Sequence, residues 1–171
     1  MMSTVKEIYN EVKAILEDDA ALSDYVGRIY DREREYVADK YRVVLMLEPV
    51  DVLETTYDYP VEAVLVMKII GHVFESNPDK SINDGAVKQV LDLEQDIKDA
   101  LRKNYTLNGK CLSFRFSSTR FDRKKDSWGK QEMLRRPPMY GVEILMNIRY
   151  APDFVPAGFG TEAFGRQPYG Y

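Results

Sequence analysis

The sequence predicts an α+β domain, in which a mainly antiparallel sheet of about four strands carries two helices on one of its faces. Three observations lead to this prediction: two amphipathic helical stripes, several stretches of alternating apolar and polar residues, and the chain order helix, strand, strand, helix, strand, strand. A chain of 171 residues suits one domain and can bury about 70% of its extended surface. We therefore predict a single domain at residues 1–150, followed by an extended arm at residues 151–171.

The first predicted helix begins at a capping box, since Thr4 and Glu7 have the spacing at which each side chain can accept a hydrogen bond from the other residue's backbone N–H. Apolar residues then recur at intervals of three and four, as in an amphipathic helix. They are Val5, Ile8, Val12 and Ile15. Residues 22–26 extend or repeat this apolar face before Gly27, a predicted helix stop. The charged stretch 28–39 is predicted to be an exposed strand or loop.

Residues 61–74 form the longest apolar run, and their strand-compatible side chains predict a central strand. Alternate residues of a strand point to opposite faces. One face is apolar and is interrupted only by Gly71; it comprises Ala63, Leu65, Met67, Ile69 and Val73. The other face is mixed and carries Lys68 and His72. We expect helices to cover the apolar face, and we expect water or another subunit to meet the mixed face.

Similar patterns predict the remaining elements. Residues 41–47 alternate as a strand that precedes the central one, and residues 49–59 connect the two with some strand content of their own. Turn-forming residues fill 75–85. The second helix follows, with an apolar stripe that comprises Val90, Leu93, Ile97, Ala100 and Leu101. Residues 111–117 and 142–150 alternate as the last two strands.

The segment between these last two strands, about residues 120–139, is basic in an acidic chain. It is too long for a tight hairpin turn. Its net charge is +4, so the rest of the chain, whose total charge is −4, carries −8. The cations are Arg120, Arg123, Lys124, Lys125, Lys130, Arg135 and Arg136. An acidic body with one basic segment indicates a specific charged contact rather than general binding to nucleic acids.

Three interpretations of the basic segment stay open. Its cations and Trp128 can hold phosphates and stack a base, as in a small nucleic-acid-binding module. They can equally dock on an acidic protein partner, with Trp128 as an anchor. The third interpretation is a solvated loop. The arm favours docking, because aromatic residues spaced by Gly and Pro suit a segment that orders on assembly, although simple disorder explains it as well. These residues are Phe154, Phe159, Phe164, Tyr169 and Tyr171.

Nothing in the sequence indicates catalysis, a metal site or a cofactor. The only histidine, His72, and the only cysteine, Cys111, do not have the spacing of a zinc site. Nucleophile motifs and phosphate-binding loops are absent from the sequence, although distant carboxylates can still meet in a fold. The sequence also has no leader and no run long enough to span a bilayer. We expect a soluble protein that is not an enzyme and has no membrane partner.

Several stretches together resemble the tail terminator, or tail completion, proteins of long-tailed bacteriophages. They are the first helix TVKEIYNEVKAILEDD, the long helix AVKQVLDLEQDIKDALRKN, the stretch LNGKCLSFRF and the last strand GVEILMNIRY. The resemblance covers about residues 3–150 and rests on the order and texture of the elements rather than on a signature motif. The arm lies outside it.

The resemblance implies an α/β subunit, with two helices on an antiparallel sheet, that has no catalytic residues. Such subunits form a hexameric ring at the head–tail junction of the virion, which is assembled in the host cytoplasm. The ring ends the polymerisation of the tail tube, or of the sheath, and joins the tail to the head connector. The basic segment and the arm are our candidates for contacts with these partners or with the passing DNA. Our candidates for the subunit interface are Arg32, Arg34, Lys68 and His72.

Overall fold

The computed structural model describes residues 2–31, 42–54, 62–74, 84–123 and 139–152. Within these ranges the chain forms six strands and three helices. The strands are β1 (Met2–Ser3), β2 (Arg28–Tyr30), β3 (Val43–Glu54), β4 (Ala63–Phe74), β5 (Ser113–Arg123) and β6 (Met139–Pro152). The helices are α1 (Val5–Asp18), α2 (Ala20–Ser23) and α3 (Asp84–Arg102).

Five strands form a sheet in the order β5-β6-β4-β3-β2, and β1 pairs with the last two residues of β6. The pairs β5–β6, β6–β4 and β4–β3 are antiparallel, whereas β2 runs parallel to β3. The predicted α+β class and the mainly antiparallel sheet are therefore confirmed. The count of four strands and two helices left out β1, β2 and α2, because segments this short do not develop a period that a sequence can display, although the stretch 28–39 that contains β2 was predicted to be a strand or loop.

The helices cover the apolar face of β4, as predicted. The five residues predicted for this face are all buried, and they belong to a main core that also contains the apolar stripes of α1 and α3. Gly71 interrupts the apolar face because α3 packs closely there. A Cβ atom on Gly71 would lie 2.6 Å from Leu93 Cδ2 and 3.1 Å from Val142 Cγ1, so a side chain at this position would displace its neighbours.

Hydrogen bonds hold the helical layer in place. Thr4 and Glu7 form the predicted capping box, in which Glu7 N–H donates to Thr4 Oγ1 (3.2 Å) and Thr4 N–H donates to Glu7 Oε2 (2.8 Å). The second of these bonds holds the pKa of Glu7 below its ordinary value. Tyr25 follows α2 and donates its hydroxyl proton to Asp96 of α3 at 2.6 Å. Burial, together with this bond to a carboxylate, raises the pKa of Tyr25 far above its ordinary value.

Several predicted boundaries were wrong. β3 does not end at Leu47 but continues past an irregularity at Pro49–Asp51 to Glu54, and this continuation is the strand content expected in the connection at 49–59. β5 likewise continues past an irregularity at Phe116–Ser118 to Arg123. In both strands one extra residue shifts the alternation of apolar and polar side chains by one position. The alternating pattern in the sequence therefore ends at this residue, although the strand continues beyond it.

Candidate functional site

The face of the sheet that lies opposite the helices is called the second face here. It consists of alternate residues of five strands, and the pairing register identifies them. The buried residues of α1, α2 and α3 that the structure describes all belong to the main core on the other side of the sheet. Within the described ranges, the second face is therefore the side of the sheet on which no helix packs.

The middle of the second face is half-buried and carries both charges and apolar groups. Lys68 lies opposite Glu48 of β3 and opposite Leu145 of β6. Its ammonium group is 3.9 Å from a Glu48 carboxylate oxygen, and the two side chains are 23% and 40% exposed. A pair of this kind contributes little to stability. Lys68 thus lies on the mixed face where it was predicted, and its role in a subunit interface stays a prediction.

An exposed ion pair marks one end of the second face. Arg149 of β6 donates from Nε and Nη2 to the two carboxylate oxygens of Glu62, at 2.7 and 2.8 Å. The Arg149 guanidinium lowers the pKa of Glu62, and the Glu62 carboxylate raises the pKa of Arg149. This bidentate pair fixes the chain just before β4 against the sheet.

The other end of the second face is buried, which differs from the prediction of an open mixed face. His72 is only 3% exposed, and its ring lies edge-on to Phe74 at 6.4 Å. A second apolar cluster lies at this end and comprises Tyr30, Val44, Met46, Ile70 and Phe74. Three strands contribute to the cluster, so the pattern of β4 alone could not reveal it. Whether His72 also contacts another subunit stays a prediction.

A polar hollow of about 300 Å³ lies at this end, between β4, β6 and β5. Its lining includes His72, Gly141, Glu143, Arg120 and Asp122. The register aligns Gly141 with both His72 and Asp122, and it aligns Glu143 with Arg120. The structure therefore brings together Arg120, a candidate from the basic segment, and His72, a candidate for the subunit interface.

The charges around the hollow are mixed. Arg120 is exposed, its cross-strand neighbour is Glu143, and Asp122 follows it on the same face. Neighbouring charges of opposite sign on adjacent strands attract each other. The part of the basic segment that the structure describes is thus not a uniformly positive surface. Arg123 ends β5 with its backbone paired to Tyr140.

The other predicted contact residues lie outside the described ranges, and their roles stay predictions. In the basic segment these are Lys124, Lys125, Trp128, Lys130, Arg135 and Arg136. In the arm they are Phe154, Phe159, Phe164, Tyr169 and Tyr171. Two of the candidates for the subunit interface, Arg32 and Arg34, also lie outside the described ranges.

An apolar groove of about 430 Å³, which the sequence analysis missed, lies between the first turns of α3 and the adjoining ends of β5 and β6. Val87, Leu91 and Phe121 line it and are 44%, 51% and 52% exposed. The sequence does hold a signal for it. Val87 and Leu91 are four residues apart on α3 but lie outside the buried stripe, so they form a second apolar strip on the helix.

The described residues give no grouping for metal or thiol chemistry. Cys111 belongs to the main core, whereas His72 lies on the second face, so the fold does not bring these two residues together. Burial raises the pKa of the Cys111 thiol to about 11, and the thiol is therefore protonated at neutral pH. In the ranges that the structure describes, no cluster of three or more His, Cys, Asp or Glu side chains can hold a metal ion.

None of the helices in the described parts of the chain combines the length and the apolar character that crossing a membrane requires.

No protein-family model matches the chain. No curated protein matches it either. Among solved structures, the chain is similar to the sheath/tube terminator of an extracellular contractile injection system, PVC, in its extended state. The identity is 12%, the match covers 91% of this chain and 62% of that chain, and the TM-score is 0.35. The chain thus spans less than two thirds of that protein, and a TM-score at this level does not establish a shared fold.

Proposed function

We propose that this protein is a structural subunit of a phage tail, without enzymatic activity, and that it assembles into a hexameric ring at the head-proximal end of the tail. The ring would end the polymerisation of the tail tube or the sheath and would join the tail to the head connector. On this proposal the protein is a component of the virion.

The observation that carries the proposal is the two-sided sheet. All described helices pack on one face, and the middle of the second face stays half-buried, with Lys68, Glu48 and Leu145 side by side. A surface of this composition tolerates water in the free subunit. It also gains free energy when a neighbour buries its apolar part and pairs its charges. Subunits that contact each other through two different patches form closed rings when the rotation between them closes.

The order of the elements supports the particular kind of ring. The chain begins with a capped amphipathic helix, continues through two paired strands, β3 and β4, and then enters the long helix α3. The β5–β6 pair ends the described chain, and β1, β2 and α2 are short additions to this plan. This is the order on which the resemblance to tail terminators rests.

The basic segment has a defined base in this architecture. β5 and β6 remain paired up to Arg123 and Tyr140, so residues 124–138 start and end at one edge of the sheet. Both ends of this segment are therefore joined to paired strands. We propose that it contacts the next ring of the tail or the connector.

A nucleic-acid-binding module is the alternative for the same segment, and the described residues favour it less. Arg120 has Glu143 and Asp122 beside it, and carboxylates next to a cation oppose the approach of phosphates. The two functions differ in their response to salt, because the affinity of a module that neutralises several phosphates falls steeply as salt rises.

Native mass spectrometry of the full chain, alone and mixed with the tail-tube protein of the same phage, tests the proposal. We expect a ring-sized oligomer, alone or on the tube, and we expect negative-stain images to show it at one end of the tube. A chain that stays monomeric and binds neither tube, sheath nor connector protein would overturn the proposal. Titrations with DNA and with RNA at low and high salt test the alternative, and absence of binding to both at low salt eliminates it.

A further inference from the structure

The apolar groove is exposed although it lies next to the main core. Val87, Leu91 and Phe121 keep about half of their surface accessible, whereas their neighbour Val90 is 4% exposed. Large apolar side chains that gather in one concave place, rather than scatter singly over a surface, are typical of sites that bind a protein segment.

The chain itself contains a segment of matching chemistry. The nineteen residues from 153 to 171 hold five aromatic side chains, spaced by Gly and Pro, together with Asp153, Glu162 and Arg166. The groove is lined mainly by apolar side chains, and Asp122 also lines it. The apolar lining therefore favours this arm, with its five aromatic side chains, as the occupant of the groove.

The point at which the arm begins is far from the groove of its own subunit. The groove lies at the Tyr140 end of β6, and the arm begins beyond Pro152 at the opposite end. The intervening strand is roughly 40 Å long at about 3.3 Å per residue. An arm that turned back along its own strand would use about twelve of its residues for the return. Only Tyr169 and Tyr171 would then reach the groove with slack.

We infer that the apolar groove binds the aromatic arm of an adjacent copy of the chain. This inference rests on the proposed ring. Each subunit then places its own arm in the groove of one neighbour and accepts the arm of the other neighbour in its own groove. Arm and groove are two different patches, and contacts between different patches can close a ring. All five aromatic residues can take part, because the neighbour's arm need not return along its own strand.

Cysteine cross-linking of full-length chains tests the inference. One variant carries Val87→Cys in the groove, a second carries Ala163→Cys beside Phe164 of the arm, and the two are co-expressed with tags of different mass. The native Cys111 is buried with a raised pKa and does not compete under mild oxidation. We expect a covalent dimer that contains one chain of each kind.

Tyr105→Cys replaces Val87→Cys in the matched control, since Tyr105 is 66% exposed and does not line the groove. We expect at least tenfold less cross-linked dimer from this pair. Equal yields for the two pairs, or no dimer from the groove pair, would overturn the inference. It would also be overturned if the double variant Val87→Cys/Ala163→Cys, diluted into unmodified chains, cross-linked only within its own chain.

The outcome separates the inference from the proposed function. A ring that forms and binds the tube without the arm–groove cross-link refutes the inference and leaves the function standing. A cross-link between chains that bind no tail protein supports the arm contact and refutes the function.

Discussion

Arg120 of β5 lies directly opposite Glu143 of β6 on the second face, and a guanidinium and a carboxylate thus flank the polar hollow. The two residues belong to different predicted groups of the sequence, since Arg120 opens the basic segment and Glu143 lies within the last strand. Their alignment places charges of opposite sign on adjacent strands at the base of that segment.

Reversing one charge of this pair is expected to destabilise the subunit modestly. Arg120→Glu places two carboxylates opposite each other, which costs about 0.2–1 kcal/mol on adjacent strands. Urea unfolding measures the change, and the swapped variant Arg120→Glu/Glu143→Arg is expected to recover most of the loss. A swapped variant that is less stable than Arg120→Glu alone would show that the alignment contributes nothing.

The two buried glycines of β4 and β6 are expected to differ in their tolerance of a methyl group. Gly71→Ala brings its Cβ to 2.6 Å from Leu93 Cδ2, and this side chain is fixed in the core, so we expect a loss of about 1–3 kcal/mol. Gly141→Ala meets His72 Cδ2 at 3.3 Å and is expected to cost less. The midpoints of chemical denaturation give the order, and the reverse order would contradict the packing of α3 described above.

The two faces of β4 are expected to respond differently to charge. Leu65→Asp puts a carboxylate into the main core and is expected to cost on the order of 4 kcal/mol, enough to unfold a marginal domain. Lys68→Glu changes the half-buried second face, and we expect the fold to persist while ring formation is lost. Circular dichroism and native mass spectrometry distinguish the two effects.

Lys6→Glu is the matched control for Lys68→Glu, because Lys6 is exposed on α1, away from the second face. The Lys6→Glu variant is expected to form the ring normally. If Lys68→Glu also assembled normally, the middle of the second face would not be a subunit interface.

Charges in the apolar groove are expected to weaken self-association without unfolding the subunit. Leu91 and Phe121 are half-exposed, so Leu91→Asp and Phe121→Asp leave the core intact. The loss of an aromatic or aliphatic anchor from an interface typically costs about 2 kcal/mol, or about 30-fold in affinity. Mass photometry over a dilution series measures the shift. Tyr105→Asp is the control, and an equal effect from it would indicate general surface repulsion.

The fold is expected to lose stability at alkaline pH. Burial, assisted by the bond from the Tyr9 hydroxyl to Asp31 at 3.1 Å, raises the pKa of Tyr9 to about 12. The folded state therefore prefers the neutral phenol. This contribution is fully present below the ordinary pKa of about 10 and disappears as the pH rises through 12. Tyr9→Phe is expected to make the fall in unfolding free energy between pH 10 and 12 less steep, and an unchanged slope would contradict this role of Tyr9.

The sequence was sufficient to predict those parts of the fold in which a long helix or strand buries one side. The apolar face of β4 and the capping box of Thr4 with Glu7 follow from spacing alone, because a period of two or of three to four residues directly reflects which side is buried. α3 was predicted for the same reason. Local pattern and global packing agree at these elements.

The remainder depends on residues that are distant in the chain. His72 lies on a face that reads as mixed, yet it is buried at an end of the sheet where β2 and β3 supply apolar partners. The groove arises where α3 meets Phe121, which lies beyond the irregularity in β5. The sequence of a single segment does not show which distant residues it will contact in the fold. The sequence singled out Arg120 and His72 separately, but it could not show that the two residues line the same hollow.

β6 separates the two segments that the proposals assign to partners. The basic segment enters β6 at Met139, and the arm leaves it at Pro152. β4 and β5 flank the strand on both sides for most of its length. A pull between the two partners would therefore load β6 along its axis, and many of its interstrand hydrogen bonds would have to shear together before it slid. The strand would then resist this pull and keep the neighbouring parts of an assembled tail at a fixed distance.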